Sequence, residues 1–382
     1  MKLTDFLGGI SEAGLRCAMA DGQILHCRSA SGVVPDTSFD FAALDQLISR
    51  LPEPAAHLRI VMRGRDIDPK SARFIDADGR LRPLALRGLL RQGAGVVVNK
   101  IHHHVPALWD LTVDAERRLG DRTSMAAVAS YGPEAALPLH FDRSDVIVLQ
   151  IEGSKLWHFH GTPVAGSAMS MRPPVEAFKD ITSTVMLHPG DVLFVPQGQY
   201  HVCEAQGVSL HLSLLVNHIN LAEYVGDRLA TLAELNVPVR PYVGPEALAA
   251  QQALLRAALV DLAATIDLAP WLAAKNAEHA RASAVPGLAL DAGVPGATAS
   301  FATSLPPALR RDGMIAAAGA AVRATPALLA MLDAIGMEPR PVAELVARVG
   351  QSVGGDDARA ALHQLVNVGL VKIEIQKARP KR

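Results

Sequence analysis

The chain has 382 residues, of which 49% are apolar and 20% charged, and its formal net charge is −1 at pH 7. This length permits a large buried core and more than one domain, while the near-zero charge excludes a global electrostatic attraction to nucleic acid or to an acidic membrane. The cysteines Cys17, Cys27 and Cys203 are odd in number and form no C-x-x-C pair, so we expect a reducing compartment and no disulfide framework. Because acidic residues interrupt the first twelve positions and no later run is long enough to span a membrane, we expect a cytoplasmic protein.

The first 120 residues predict a mixture of helices and strands. Apolar residues at three- and four-residue steps predict an amphipathic helix over 39–51, with capping side chains at 36–38. Alternating sequence at 57–63 and an apolar run at 93–99 predict strands. A further helix is expected over 106–119, because proline stands in its first turn and glycine follows its end.

Three consecutive histidines, His102–His104, precede that last helix. They invite a metal-binding interpretation, but consecutive side chains cannot all face one ion. We therefore interpret them as part of a loop or a helix entry.

From Ser124 to His218 the sequence consists of short strand-like segments separated by glycine, proline or acidic turns. Even spacing of this kind predicts an antiparallel sandwich or barrel, and such a barrel can hold one small ligand. The predicted strands are Met125–Ser130, Leu139–Asp142, Val146–Ile151, Leu156–Phe159, Thr184–Leu187, Asp191–Val195 and Val208–Val216.

After His218 the composition changes to alanine- and leucine-rich helical sequence. We expect helices over Leu221–Leu235, Pro245–Ile266, Pro270–Ala284, Pro326–Ile335, Val342–Val349 and Asp356–Val368. A small-residue linker at 285–307 interrupts them. The last three helices and a strand over 370–375 resemble a winged helix. The expected domains are 1–220, 221–304 and 305–382.

Two motifs in the strand-rich region carry candidate metal ligands. In a strand, the H-x-D spacing of His140 and Asp142 places both side chains on one face. His201 is the candidate for a third ligand, which would complete the two-histidine, one-carboxylate arrangement of non-haem Fe(II) enzymes. Each motif alone occurs often by accident, and a histidine near proline and glycine is usually a turn or core residue. Their combination is more specific.

The string Gly190-x5-Pro196-x-Gly198-x2-His201 resembles the second motif of the cupin superfamily. With H-x-D as the first motif, the chain more specifically resembles the Jumonji C (JmjC) oxygenases. That resemblance implies an α+β protein with a double-stranded β-helix (cupin, or jelly-roll) core. It also implies Fe(II) held by His140, Asp142 and His201, with 2-oxoglutarate and O2 as cosubstrates.

The resemblance also suggests residues that bind the cosubstrate. Lys155 corresponds to the cation that anchors the far carboxylate of 2-oxoglutarate, whereas without the family spacing a solvent-facing hairpin lysine would be the simpler interpretation. Ser213 and Tyr131 are candidates for hydroxyl hydrogen bonds to the cosubstrate. His211 alternates with Ser209 and Ser213 on the last strand and could support the residues of the site, but a core histidine with its hydrogen bonds satisfied is the favoured interpretation. A zinc or manganese cupin stays open, because ligand identity alone does not fix the metal.

The order of cupin domain, helical segment and winged-helix-like end resembles the ribosomal oxygenases. It implies hydroxylation of a protein or peptide side chain, with a ribosomal protein as the first expectation, and a homodimer formed through the helical segment. Ala126 departs from the family pattern, which often has asparagine there, and this weakens the assignment of a target. The alternatives are a peptide-tailoring hydroxylase in natural-product biosynthesis, a non-catalytic metal-binding cupin regulator and, ranked lower, a lysine demethylase. Direct DNA binding is not expected, because the helix over 356–368 begins with two acids and is not basic.

Overall fold

The structure is a computed structural model, and it divides the chain into two compact units, Met1–His218 and Ile219–Arg382. The residues that it describes are 1–68, 74–132, 137–162, 180–235, 248–282, 296–303, 306–310, 312–317, 320–335 and 339–375. The domain boundary predicted between residues 304 and 305 lies outside them, as does most of the predicted linker at 285–307, so that boundary stays a prediction.

The first unit combines short helices with eleven strands among its described residues. Its helices are α1 (Leu3–Phe6), α2 (Glu12–Asp21), α3 (Phe41–Arg50), α4 (Pro54–His57), α5 (Pro83–Leu90) and α6 (Pro106–Leu119), with a 3-10 turn at Ile101–His103. Its strands are β1 (Leu25–Cys27), β2 (Leu58–Met62), β3 (Arg65–Ile67), β4 (Gly95–Asn99), β5 (Arg122–Tyr131), β6 (Asp145–Glu152), β7 (Lys155–Phe159), β8 (Ser183–Leu187), β9 (Val192–Val195), β10 (His201–Ala205) and β11 (Val208–Asn217).

These strands form two antiparallel sheets. The larger has the order β1-β9-β6-β11-β5-β4-β2-β3 and the smaller the order β10-β7-β8. A buried apolar cluster joins them, with Val148 and Leu193 contributed by the larger sheet and Phe159 and Leu187 by the smaller. The predicted antiparallel sandwich is therefore confirmed.

The other face of the larger sheet is covered by helices. Leu108, Leu111 and Ala115 of α6 are fully buried in the same core as Leu212 and Leu214 of β11. The helix begins at Pro106 and ends at Gly120, whose φ of 80° is the left-handed conformation that glycine tolerates. Proline and glycine thus mark the two ends as predicted.

The cap of α3 differs from the prediction. Capping was expected from residues 36–38, but the side chain of Asp40 accepts the hydrogen bond from the Ala43 backbone N–H at 2.8 Å. Because an N-cap side chain reaches the N–H groups two or three residues further on, the residue adjoining Phe41 takes this role. Asp36 instead caps a local turn by accepting from Ser38.

The second unit contains six helices and six short strands in its described part. The helices are α7 (Leu221–Leu235), α8 (Leu248–Ala264), α9 (Leu268–Ala282), α10 (Pro326–Ile335), α11 (Val342–Val353) and α12 (Gly355–Asn367). The strands are β12 (Ala297–Phe301), β13 (Ala308–Leu309), β14 (Met314–Ala317), β15 (Ala320–Arg323), β16 (Arg340–Pro341) and β17 (Val371–Ile375).

The strands of the second unit form two three-stranded sheets, in the orders β16-β12-β17 and β13-β14-β15. Helices α10, α11 and α12 share one buried core with β12 and β17. The sequence predicted neither β12 nor the β13–β15 sheet, because strands as short as Ala297–Phe301 that consist mainly of small residues carry little of the β-branched alternation that marks a strand.

Over the described ranges, no single helix is both long and apolar enough to span a membrane. One bent pair, Leu248–Ala264 with Leu268–His279, meets the criteria of length and composition when the two helices are taken together.

Candidate metal centre

His140, Asp142 and His201 lie together at one end of the space between the two sheets. Their candidate ligand atoms are all within 4.8 Å of one another. The carboxylate of Asp142 is 3.9 Å from Nε2 of His140 and 3.9 Å from Nε2 of His201. Among the described residues this is the one group of three or more histidine, cysteine or acidic side chains close enough to share a metal ion.

The backbone positions His140 in a way that the sequence did not predict. Leu139–Asp142 is not a strand, and His140 instead forms an isolated bridge with His201, the first residue of β10. The His140 N–H donates to the His201 carbonyl at 3.1 Å, and the His201 N–H donates to the His140 carbonyl at 2.8 Å. Pro138, two residues before His140, has no backbone donor, so the pairing does not extend into a ladder in that direction.

Both imidazoles are oriented by backbone carbonyls. Nδ1 of His140 lies 2.8 Å from the Pro138 carbonyl oxygen, and Nδ1 of His201 lies 3.0 Å from the Gln199 carbonyl oxygen. A carbonyl can only accept, so each Nδ1 carries the proton and each Nε2 keeps a free lone pair. Both lone pairs are available beside the Asp142 carboxylate. This donor set fits a divalent transition metal.

Burial keeps His140 uncharged. The pKa of His140 is lowered to about 4, first because burial disfavours the imidazolium and second because of the neighbouring His201. A neutral imidazole at neutral pH is the form that binds a metal.

The bend at Pro196–Gly198 precedes the ligand candidate His201 and is hydrogen-bonded to the backbone of Asp142. Gly198 has a φ of 80°, and its N–H donates to the Asp142 carbonyl at 2.9 Å. The buried carboxylate of Asp145 accepts from the Gln197 N–H at 2.7 Å. The glycine required by the sequence motif therefore fixes the backbone of Asp142.

A cavity beside these three residues is lined by both sheets, and Lys155 projects into it. Lys155 is only 4% exposed, and its Nζ donates to Ser130 Oγ at 3.0 Å. Burial lowers the pKa of its ammonium group. No carboxylate within the described ranges forms an ion pair with it, and a buried cation without a counter-charge is energetically costly.

The two predicted hydroxyl residues have different outcomes. Ser213 is buried and lines the cavity, and its hydrogen bond to the cosubstrate stays a prediction. Tyr131 does not line it: its ring packs against Phe41, at a centroid distance of 6.0 Å, on the helix-covered side of the larger sheet. Alternate residues of a strand face opposite sides, so the neighbouring Ser130 provides the hydroxyl that faces the cavity.

Three further cavity residues were not predicted as site residues. Trp157 and Cys203 are cross-strand partners in the smaller sheet, and His211 lies opposite them in the larger sheet. The available signal was their two-residue spacing from Lys155, His201 and Ser213. Burial raises the pKa of the Cys203 thiol to about 12, so it remains protonated.

The consecutive histidines lie elsewhere, in the 3-10 turn that leads to α6. Nδ1 of the buried His102 accepts a hydrogen bond from the Met125 N–H at 3.2 Å, and its pKa is lowered to about 4, chiefly by burial. The predicted helix-entry role is therefore confirmed for His102.

Comparison with known proteins places these features in a family context. Residues 106–224 match the family described as the JmjC domain. Ribosomal oxygenase 1 of Rattus norvegicus is 28% identical over 165 residues, which cover 40% of this chain and 27% of that protein. Ribosomal oxygenase 2 of Mus musculus is 25% identical over 163 residues, which cover 40% of this chain and 35% of that protein. The chain thus spans about a quarter to a third of the length of these relatives.

Solved structures resemble the chain over most of its length. The X-ray structure of Escherichia coli ycfD has a TM-score of 0.57 at 15% identity and covers 96% of this chain and 99% of that one. A structure of YcfD, described as a ribosomal oxygenase from Escherichia coli in complex with cobalt and 2-oxoglutarate, has a TM-score of 0.52 at 16% identity and covers 92% and 95%. At these identities the likeness establishes the fold, so the predicted cupin-like core is confirmed.

Proposed function

We propose that this chain, which carries a JmjC domain, is an Fe(II)- and 2-oxoglutarate-dependent oxygenase that hydroxylates a side chain of a protein or peptide. One observation supports the proposal: the same cavity contains three candidate metal ligands and a buried lysine that has no counter-charge among the described residues. A metal ion and a separate cation are the two partners that a 2-oxo dicarboxylate requires.

His140, Asp142 and His201 would hold the metal. Three protein ligands leave coordination positions open for small molecules, and two histidines with one carboxylate are the donor set of non-haem Fe(II) oxygenases. When bound, iron supplies the activation of O2 that couples oxidative decarboxylation of 2-oxoglutarate to hydroxylation of a C–H bond. The carbonyls of Pro138 and Gln199 keep both imidazoles in the tautomer that this role needs.

Lys155 would bind the far carboxylate of the cosubstrate. Its ammonium is held by Ser130, and a carboxylate would add the charge-assisted hydrogen bonds that the buried cation lacks. The walls contributed by Trp157, Val195 and Leu215 would keep bulk water from the reacting groups, which strengthens electrostatic interactions inside.

We propose a ribosomal protein as the first substrate to test, because curated relatives are ribosomal oxygenases. Peptide tailoring in biosynthesis stays an alternative outcome of the same assay. A non-catalytic regulator is disfavoured, since selection for metal binding alone gives no reason to bury a cation as costly as Lys155.

For the second unit we propose two roles. The packing of α10, α11 and α12 against the β16-β12-β17 sheet supports a winged-helix-like domain that acts in structure or substrate binding. It is not proposed to bind DNA, because α12 begins with Asp356 and Asp357. The exposed apolar residues of α8 support a homodimer formed through the helical segment.

The deciding experiment measures succinate formation from 2-oxoglutarate by protein loaded anaerobically with Fe(II) and then exposed to O2, with and without ribosomal-protein peptides. Wild type should form succinate in an iron-dependent manner, and His201→Ala and Lys155→Ala should not. His158→Ala is the matched control, because His158 lies between Trp157 and Phe159 and points away from the cavity. Failure of metal-loaded wild type to bind 2-oxoglutarate would contradict the proposal.

A further inference from the structure

His211 is a buried histidine with an unsatisfied ring nitrogen. Its side chain lines the cavity and the residue is 3% exposed. Nδ1 is buried and has no hydrogen-bond partner among the described residues. An imidazole always carries at least one N–H donor, so the expectation of a satisfied core histidine is wrong.

A second polar group in the same cavity has the same property. Nε1 of Trp157 is buried and has no hydrogen-bond partner in the described part of the chain. The centroids of the Trp157 and His211 rings are 5.8 Å apart. Indole nitrogen is a donor only. Leaving buried polar nitrogens unsatisfied costs free energy. A ligand that accepts a hydrogen bond from each ring would recover it.

The strand registers show which part of a ligand would meet these donors. In the larger sheet, His211 pairs with Val128. The next pairs that face the cavity are Ser209–Ser130 on one side and Ser213–Ala126 on the other. In the smaller sheet, Trp157 lies two residues from Lys155 and two residues from Phe159 on the same face of β7. Phe159 pairs with the metal-ligand candidate His201. His211 and Trp157 therefore form a middle layer between the ammonium group and the metal ligands.

The geometry points to a positioning role: His211 donates a hydrogen bond to the carboxylate that Lys155 binds, and so favours 2-oxo dicarboxylic acids over 2-oxo monocarboxylic acids. This inference rests on the proposed function, since it assumes that a 2-oxo acid bound at the metal extends toward Lys155. Lys155 supplies the charge and Ser130 holds it. His211 adds a directed donor from the opposite sheet, which fixes the orientation of the carboxylate.

Binding measurements with two acids test the inference independently of turnover. The protein is loaded with Mn(II) under anaerobic conditions, and the dissociation constants of 2-oxoglutarate and 2-oxopentanoate are measured by calorimetry. The second acid has the same chain length but ends in a methyl group. The variants are His211→Phe, which keeps the ring volume without a donor, and His211→Gln, which keeps an N–H. The Mn(II) affinity of each variant is measured separately.

We expect His211→Phe to weaken 2-oxoglutarate binding by about tenfold or more, the loss typical of a hydrogen bond to a charged group. It should change 2-oxopentanoate binding and Mn(II) affinity by less than about twofold, and His211→Gln should restore part of the affinity for 2-oxoglutarate.

Three outcomes overturn the inference. If His211→Phe weakened the binding of both acids equally, His211 would act on the 2-oxo acid group at the metal and not on the far carboxylate. If the variant lost Mn(II) affinity, His211 would support the metal ligands. Unchanged binding of 2-oxoglutarate would remove any role in recognition. If wild type binds neither acid, the proposed function fails as well, whereas tight 2-oxoglutarate binding that His211→Phe leaves intact refutes the positioning role alone.

Discussion

His140 and His201 are joined by a reciprocal pair of backbone hydrogen bonds, and their rings lie 4.4 Å apart between centroids. One histidine therefore fixes the position of the other, although His140 belongs to no strand. The backbone pairing therefore brings the two Nε2 atoms beside the Asp142 carboxylate.

The first prediction concerns the ligands themselves. Asp142→Ala and His201→Ala should each lower Fe(II) or Co(II) affinity by about 100-fold or more, because the loss of a ligand exceeds the 10- to 100-fold effects typical of residues that only orient ligands. Circular dichroism should show an unchanged fold for Asp142→Ala, since the Asp142 side chain is 39% exposed. Equilibrium dialysis measures the affinity. Unaltered metal binding in both variants would exclude this group as the metal site.

The ligands could be predicted from sequence, but the residues that shape the cavity mostly could not. His140, Asp142 and His201 follow from two local motifs that carry their own turn chemistry. The assignment of Tyr131 was wrong by one position, because a shift of one residue moves a strand side chain to the opposite face and the sequence does not fix that register. Ser130, Trp157 and His211 come together only through pairing between distant strands. Two-residue spacing shows which residues of one strand share a face, but it does not show which strands pair.

The second prediction is a trade-off between stability and binding at Lys155. Lys155→Met should stabilise the metal-free protein by about 1–2 kcal/mol, because it replaces a buried ammonium that has no counter-charge with an apolar chain of similar length. The same variant should bind 2-oxoglutarate at least tenfold more weakly. Urea unfolding and calorimetry measure the two effects. A destabilised Lys155→Met protein would contradict the view that the cation is held there for a ligand.

The third prediction compares two turn glycines. At Gly153, which follows β6, a Cβ atom would lie 1.9 Å from the Val208 carbonyl oxygen, whereas at Gly207 it would meet no atom within 4 Å. Both residues have positive φ, of 64° and 90°. Gly207→Ala should therefore cost only the conformational strain, about 1–2 kcal/mol, and Gly153→Ala at least 2 kcal/mol more because the backbone must move. Equal unfolding free energies would argue against the close approach of the β6–β7 turn to β11.

The fourth prediction concerns pH. His218 donates from Nδ1 to Asp121 at 2.9 Å and from Nε2 to the buried Asp145 at 2.8 Å. The hydrogen bonds to Asp121 and Asp145 raise the pKa of His218 from its ordinary value of 6.5 to about 10. A raised folded-state pKa means that the stabilisation is complete below pH 6.5 and is lost as the pH rises through about 10.

His218→Gln should therefore destabilise the protein at pH 6 by about 1–3 kcal/mol, the range for hydrogen bonds to charged groups. The difference from wild type should shrink between pH 6.5 and 10. Urea titrations at pH 6, 8 and 10 measure it, with His160→Gln as a control that has no such carboxylate partners in the described structure. A difference that grows with pH would have the wrong sign.

The last prediction concerns self-association through α8. This helix is rich in leucine and alanine, and Arg256 and Asp261 are its only charged residues. Nevertheless, Leu248, Leu255 and Leu259 are 49%, 49% and 42% exposed in the single chain. They recur at positions i, i+7 and i+11 and thus lie on one face. Covering this stripe with the same stripe of a second copy would make the isologous contact typical of homodimers. At micromolar concentrations wild type should sediment as a dimer and the double variant Leu255→Glu/Leu259→Glu as a monomer. Leu84→Glu, at an exposed leucine of α5, should leave the dimer intact, and a monomeric wild type would refute the assignment.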